Sequence, residues 1–278
     1  MTLRHAGMMW NTMRVLCRHE CGGMLRAPMA YVWCTGSLLL AALVIETYLQ
    51  AIRALGIGIY ADPLKYPFAL ATFACGLYFS LWASTMIARE RESGTLEALF
   101  WAPVDDLGLI LGKILGSLAA SAVFIGAVLG FLVAAGRLTG LAFPGDVLAC
   151  LLASLVFVGS MVAVGIFVST LASRVRTAVV MLAAAVTVFL GLQFAVGFLG
   201  NLPPEQLSRP LLLMRDSLFL VNKIGRVLSP VQYFAWALEA VQVGDGRGYI
   251  QSVVSALAHL GAFVALSVLT LKCRGVRQ

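Results

Sequence analysis

The chain has 278 residues, 60% hydrophobic and only 12% charged, with a formal net charge of +7 and a mean hydropathy of +0.92. A water-soluble domain of ordinary composition carries about a quarter charged residues, so too little polar surface is present to cover a globule, and a soluble enzyme or soluble binding module is excluded. The basic residues are spread along the chain rather than gathered on one face, which argues against nucleic acid as a partner.

Residues 1–28 read as an amphipathic helix. Trp10, Met13, Cys17, Cys21 and Met24 recur at helical spacing, while Asn11, Arg14 and Arg18 occupy another flank. Such a helix lies in the headgroup layer of a membrane. Cys17, His19 and Cys21 invite a metal site, but on a helix His19 points away from the face the cysteines share, and packing explains them better. No cleavable signal peptide is expected, because this leader carries several arginines and no apolar run. The apolar segment 29–50 follows, and a bilayer crossing needs roughly 20 such residues. It contains Glu46, four residues from its end, where a carboxylate snorkels to water more readily than it serves as an ion site.

The second span, 66–88, has no charge and runs into Arg89-Glu90-Arg91-Glu92-Ser93-Gly94-Thr95-Leu96-Glu97-Ala98-Leu99-Phe100-Trp101-Ala102-Pro103-Val104. The helix should continue out of the membrane through 89–92 and break at Gly94, which tolerates the positive φ of a helix end. A short helix can restart there, with Gly94 as N-cap and Glu97 at the favourable acidic third position. Leu96, Leu99 and Phe100 would share one face, and Pro103 would end the piece. By composition alone this loop, 89–108, is either a solvated elbow or a handle for a partner.

Further spans are predicted at 109–135, 147–172 and 177–198. Gly108, Gly112 and Gly116 follow at four-residue steps, and Gly126 and Gly130 repeat the spacing. Such ridges let helices approach closely, either within a subunit or at a dimer seam. Lys113 sits near the end of its span and should snorkel. The segment 199–248 contains Pro203-Pro204 and two apolar stretches, 211–221 and 227–243, that suit re-entrant or interfacial half-helices. The last span, 249–271, carries His259 at mid-span, expected as a hydrogen-bonded packing residue. Apart from Glu46 and Lys113, no Lys, Arg, Asp or Glu falls within the six spans. The fold class is therefore an all-α polytopic membrane protein, 1–278 forming one domain.

Six crossings put both termini on one side. That side would hold Arg4, Arg14, Arg18, Arg26, Arg89, Arg91, Lys113, Arg174, Arg176, Lys272, Arg274 and Arg277, whereas the short loops opposite hold only Arg53, Lys65 and Arg137. The positive-inside rule then makes both termini cytoplasmic, in a cell membrane, with 199–248 extracytoplasmic. The six cysteines are scattered over spans and cytoplasmic segments, none placed for an extracytoplasmic disulfide.

The octet Glu90-Arg91-Glu92-Ser93-Gly94-Thr95-Leu96-Glu97, followed by Leu99, Pro103-Val104 and Leu111-Gly112-Lys113, resembles the signature of ABC-2-type transporter permeases, where E-R-E-x-G-T-L-E lies between the second and third of six spans. The amphipathic leader resembles that family's interfacial connecting helix. Leu228-Ser229-Pro230, Tyr233-Phe234 and Gly244-Asp245 resemble the stretch where the family carries short extracellular re-entrant helices. The resemblance implies a half-transporter of an exporter: two such permeases, identical or paired with a relative, on two cytoplasmic ATPase subunits. Carried over by position, Arg89, Glu90, Arg91 and Glu92 continue a gate helix, and Gly94, Thr95, Leu96, Glu97 and Leu99 belong to the coupling helix that docks on the ATPase. The acidic residues would then be available to basic residues of that partner.

The chain carries no nucleotide site of its own. Gly108-Leu109-Ile110-Leu111-Gly112-Lys113 has one residue too few between its glycines for a phosphate loop, and Ile114 stands where Ser or Thr must hold magnesium. ATP and Mg are therefore expected only on the partner ATPase, with no cofactor or metal bound by this chain. An intramembrane enzyme would need paired carboxylates, a zinc motif or a serine with a base, and none is grouped in the spans. An ion-coupled secondary transporter or channel would lean on intramembrane ionisable groups, of which Glu46 and His259 are the candidates. The apolar lining suits a hydrophobic or amphiphilic cargo.

Overall fold

The computed structural model describes residues 2–55, 63–95, 106–141, 146–200 and 209–275. Among them are nine helices and no strand: α1 (Thr2–Arg26), α2 (Pro28–Leu55), α3 (Lys65–Glu92), α4 (Asp106–Thr139), α5 (Val147–Leu171), α6 (Val175–Gly200), α7 (Arg209–Leu228), α8 (Pro230–Val243) and α9 (Gly246–Gly275). Helices α2 to α6 and α9 are long and apolar enough to span a bilayer, and they coincide with the six predicted spans. Each is helical because lipid offers no partner for a free backbone N–H or C=O. The spans alternate in direction, so the end of α3, the start of α4 and the α5–α6 corner share one face with the end of α9. We refer to it as the terminal face.

Sequence chemistry sets the helix ends. Asp146 caps α5, its carboxylate accepting from Leu148 N and Ala149 N at 3.0 and 3.2 Å. Gly94 stops α3 with φ +72°, Ser93 N donating to Arg89 O and Gly94 N to Arg91 O. The predicted helix break is thus where the sequence put it.

Helices α3 and α5 make the centre. Their seam depends on Gly165: a Cβ there would lie 2.3 Å from Ser80 O, so only glycine lets the two backbones meet. One turn further along α5, Ser169 Oγ accepts from both Ile87 N and Ala88 N at 3.0 and 2.9 Å, a side chain inserted against the ladder of α3. Helices α2, α6 and α9 lie outside, most of their apolar surface exposed, α6 most of all.

The glycine ridge of α4 divides. Gly112 and Gly116 receive α1, with Met13 and Leu16 over the first and Cys17 and Glu20 over the second. The helices therefore run side by side in the same direction, and this half of the ridge is internal packing. Nothing lies within 4 Å of a Cβ at Gly126 or Gly130, which face outward. On α1, Arg14, Val15, Arg18 and His19 form the exposed flank.

Segment 209–243 is a hairpin that re-enters the bundle from the face opposite the termini. Along α7, Phe219 meets Gly200, Asn222 pairs with Gln193 (2.9 Å) and Gly225 meets Leu192. Numbers rise on α7 as they fall on α6, so α7 descends antiparallel to α6. From Gly200 to Leu192 is about 12 Å of helix rise. The chain turns at Ser229-Pro230, with proline at the first position of α8, where its missing N–H is harmless. Helix α8 climbs back with Phe234 stacked on Phe157 (4.8 Å, 19°) and ends at Gly244, φ +74°. The two apolar stretches read from the sequence are these arms, and the Ser-Pro pair is the apex.

Candidate functional site

At the terminal face the charged end of α3 is tied to four other helices. Glu90 Oε1 accepts from Lys113 Nζ of α4 at 2.7 Å, and the same ammonium donates to Glu20 Oε1 of α1, also at 2.7 Å. Lys113 is 1% exposed, while Glu20 and Glu90 are 17% and 22% exposed at their rims. The lysine therefore does not snorkel as predicted. Its carboxylate partners lie 93 and 23 residues away, and the close seat of α1 on Gly116 brings Glu20 to it. Among the described residues, two carboxylates share one ammonium, and Glu90 Oε2 is buried with no hydrogen-bond partner.

Arg91 turns to the end of α5: Nη1 donates to Ala172 O at 2.8 Å and Thr170 O at 3.3 Å. A guanidinium is thus set on the unpaired carbonyls of a helix C-terminus, where the macrodipole favours a cation. Glu92 does the converse for α6, its Oε2 accepting from Val175 N at 3.2 Å at the helix N-terminus. Arg89 faces outward and stacks over Trp82, 5.6 Å from the ring centre. Beyond them Ser93 Oγ and Thr95 Oγ1 both donate to Glu90 O, at 3.2 Å each, closing the helix end at Gly94.

The sequence-predicted residues thus separate. Glu90, Arg91 and Glu92 are brought together as an internal fastening, and Gly94 and Thr95 finish the helix. Leu96, Glu97 and Leu99 lie outside the described residues. Sequence reasoning missed Lys113, Glu20 and Ser169. An acid in helical register with Met13, Leu16 and Cys17 was the available signal for Glu20; Ser169 gave none.

A second feature lies at mid-span. A cavity of ≈ 280 Å³ is lined by Leu77 and Ser80 of α3, Met161 of α5, Phe189 of α6 and the apex pair Ser229-Pro230. Its walls are almost wholly apolar; the Ser80 hydroxyl, buried at 1% exposure, has no partner among the described residues. A site of this kind accommodates hydrocarbon.

The two intramembrane candidates sit on different helices. Glu46 is exposed on α2 and accepts from Gln50 Nε2 at 3.3 Å. His259 is buried on α9 against Phe263 (4.7 Å) and Tyr233 (6.4 Å). No group of three His, Cys, Asp or Glu side chains suited to a metal occurs among the described residues; Cys17 belongs to the α1 seat on α4.

Comparison with curated proteins gives no match. The sequence model of a family described as ABC-2 family transporter protein matches residues 30–276, a stretch that begins in the first span and takes in the charged end of α3, the re-entrant hairpin and the last span. Six spans in the expected order, the Glu-Arg-Glu end of α3 with its glycine stop, and that match over nearly the whole chain lead to one conclusion: the chain belongs to the ABC-2 family of transporter membrane proteins.

Proposed function

We propose that this chain is the permease subunit of an ATP-driven exporter, two permeases forming the translocation path and two separate cytoplasmic ATPase subunits driving it. The terminal face is then the cytoplasmic face, in keeping with its arginines and lysines. The outward face of α6, with its exposed Val180, Val188 and Phe194, is the surface offered to the second permease. Cargo is hydrophobic or amphiphilic, in line with the apolar cavity beneath the re-entrant apex.

One observation carries the reading: Glu90, Arg91 and Glu92, successive charges at the end of α3, are each fastened to a different helix. A loop that merely connected two spans would need no such fastening. A lever does, because closure of an ATPase dimer can move the spans only through a stiff element held to them. In this division of labour, 94–99 docks on the ATPase, with Leu96 and Leu99 in an apolar cleft and Glu97 against a basic residue, while Glu90, Arg91 and Glu92 pass the motion on. ATP and Mg stay on the partner.

The test is co-purification of the tagged chain from its native membrane. An ATPase with a phosphate-loop motif should come with it, and Glu97→Arg should weaken that association while the chain still inserts. A chain that purifies alone and moves solute on an ion gradient would replace this reading with secondary transport.

A further inference from the structure

Among the described residues the end of α3 touches α1 hardly at all by ordinary packing, whereas α1 lies along α4 over an extended contact. The seat of α1 is tight: at Gly116 a Cβ would stand 2.8 Å from Glu20 Cβ and 3.0 Å from Cys17 O, and at Gly112 it would stand 3.0 Å from Leu16 Cβ. Helix α1 and the first turns of α4 are therefore one body. The charged connection between α3 and that body is Lys113, about 10 Å of helix rise from the start of α4, with Glu90 on one side and Glu20 on the other.

We infer that Lys113 is a positioning residue of the transport cycle: it makes α1 and the beginning of α4 follow the end of α3, so that one push at the lever shifts three helices. Stability alone does not account for the cluster. Burying an ammonium is costly, and apolar side chains of similar volume in place of a buried ion triad are commonly neutral or stabilising. What an apolar filling lacks is direction. Hydrocarbon contacts slide, whereas an ammonium held between two carboxylates at 2.7 Å transmits both push and pull.

The inference rests on the ATPase-driven reading, and the experiment separates the two. The chain with its co-purified ATPase is placed in lipid nanodiscs, and maleimide labelling with and without a non-hydrolysable ATP analogue is read by mass spectrometry at two positions. Native Cys17 reports α1; a Ser93→Cys substitution reports the lever. Besides the otherwise native chain, a charge-free triple variant is labelled: Lys113→Met with Glu20→Gln and Glu90→Gln. This variant keeps the volume, removes every unpaired charge, and should melt no lower than the native chain. The nucleotide analogue should change labelling at both positions in the native chain. In the triple variant the change at position 93 should persist, while the change at Cys17 falls about fivefold or more, the low end of an allosteric coupling. Nucleotide-dependent labelling of Cys17 that is undiminished in the triple variant, or absent in the native chain, overturns the assignment of Lys113. If no ATPase accompanies the chain, or position 93 ignores nucleotide, the ATPase-driven reading fails first and the inference falls with it.

Discussion

Gly165→Ala tests the seam on which the lever turns. The new Cβ would meet Ser80 O at 2.3 Å, Ala83 Cβ at 3.0 Å and Ser80 C at 3.1 Å, where ordinary van der Waals contact begins at 3.4 Å. The obstacle is backbone, so no rotamer relieves it, and α3 and α5 have to part by about 1 Å. Ser169 lies one turn beyond Gly165 on the same face. Its bonds to Ile87 N and Ala88 N, now 3.0 and 2.9 Å, would lengthen to about 4 Å and cease to be hydrogen bonds. Overpacking of this kind costs about 1–3 kcal/mol, and interhelical hydrogen bonds in membranes average about 0.6 kcal/mol each. Against this, alanine in place of glycine returns about 0.4–1 kcal/mol through the unfolded chain. The net loss is about 1–4 kcal/mol.

Two other glycines on the spans make the comparison decisive. A Cβ at Gly159 meets the tip of Leu260 at 3.0 Å, a flexible side chain that can move, and a Cβ at Gly126 meets nothing. Unfolding in mixed micelles, followed by circular dichroism against increasing mole fraction of ionic detergent, should rank the alanine variants with 165 least stable, 159 intermediate and 126 at or above the parent. Equal midpoints for 165 and 126 would refute the contact geometry and, with it, the claim that backbone proximity binds α3 to α5.

Arg91→Ala removes a charged donor from the last carbonyls of α5. With Nη1 on Ala172 O and Thr170 O, about 1.5–3 kcal/mol is expected for hydrogen bonds to a charged group, lowered by partial exposure, and detected as earlier hydrogen exchange at the α5–α6 corner. Lys113→Met alone leaves two carboxylates facing a gap, so it should destabilise by up to about 3–5 kcal/mol, with most of that recovered in the triple variant; an unaltered midpoint for the single variant would show that the carboxylates never needed the lysine. The Cys17 thiol is pushed above its ordinary pKa by burial first and by nearby Cys21 second. Its thiolate fraction at neutral pH is therefore below that of an unshifted cysteine, and its alkylation rate should climb about tenfold per pH unit through the range where an ordinary thiol has begun to level off.

What the sequence could tell follows from how local each signal is. The six spans were legible because hydropathy is a property of consecutive residues, and the end of α3 because Gly94 marks its own stop. The arms of the re-entrant hairpin showed as apolar stretches, but their depth did not, since that depends on Asn222 finding Gln193 on another helix. Lys113 was misread as a snorkelling end residue because its partners, Glu20 and Glu90, are supplied by other helices. The glycines of α4 were open to two meanings for the same reason: Gly112 and Gly116 look no different from Gly126 and Gly130 until α1 is laid on the first pair. Charge in a one-dimensional reading shows where a residue is costly to bury, and only the fold shows what offsets the cost.

The two features of the molecule lie on the same helix. Ser80, which lines the apolar cavity, and Glu92, which ends the lever, are separated by about 18 Å of rise along α3. Between them the helix ladder is locally diverted: Ser84 Oγ and Thr85 Oγ1 bond back to Leu81 O and Trp82 O at 2.7 and 2.8 Å, and Ser169 takes the N–H groups of Ile87 and Ala88. Hydroxyls bonded to preceding carbonyls, and a foreign side chain inserted in the ladder, are where helices bend. Below this stretch α3 is held by charges, above it by the backbone contact of Ser80 with Gly165. Charges fix direction and tolerate small shifts, whereas a backbone contact tolerates almost none. A displacement imposed at 93–95 therefore reaches the cavity either by tilting α3 together with α5 or by bending it at 84–88. Gly165→Ala weakens the first route by loosening the grip, and Ser169→Ala stiffens the second by restoring an uninterrupted ladder. With the Gly165 seam intact, reduced cavity access in Ser169→Ala would mean that α3 works as a jointed lever, and undiminished access would mean that it moves as a rod.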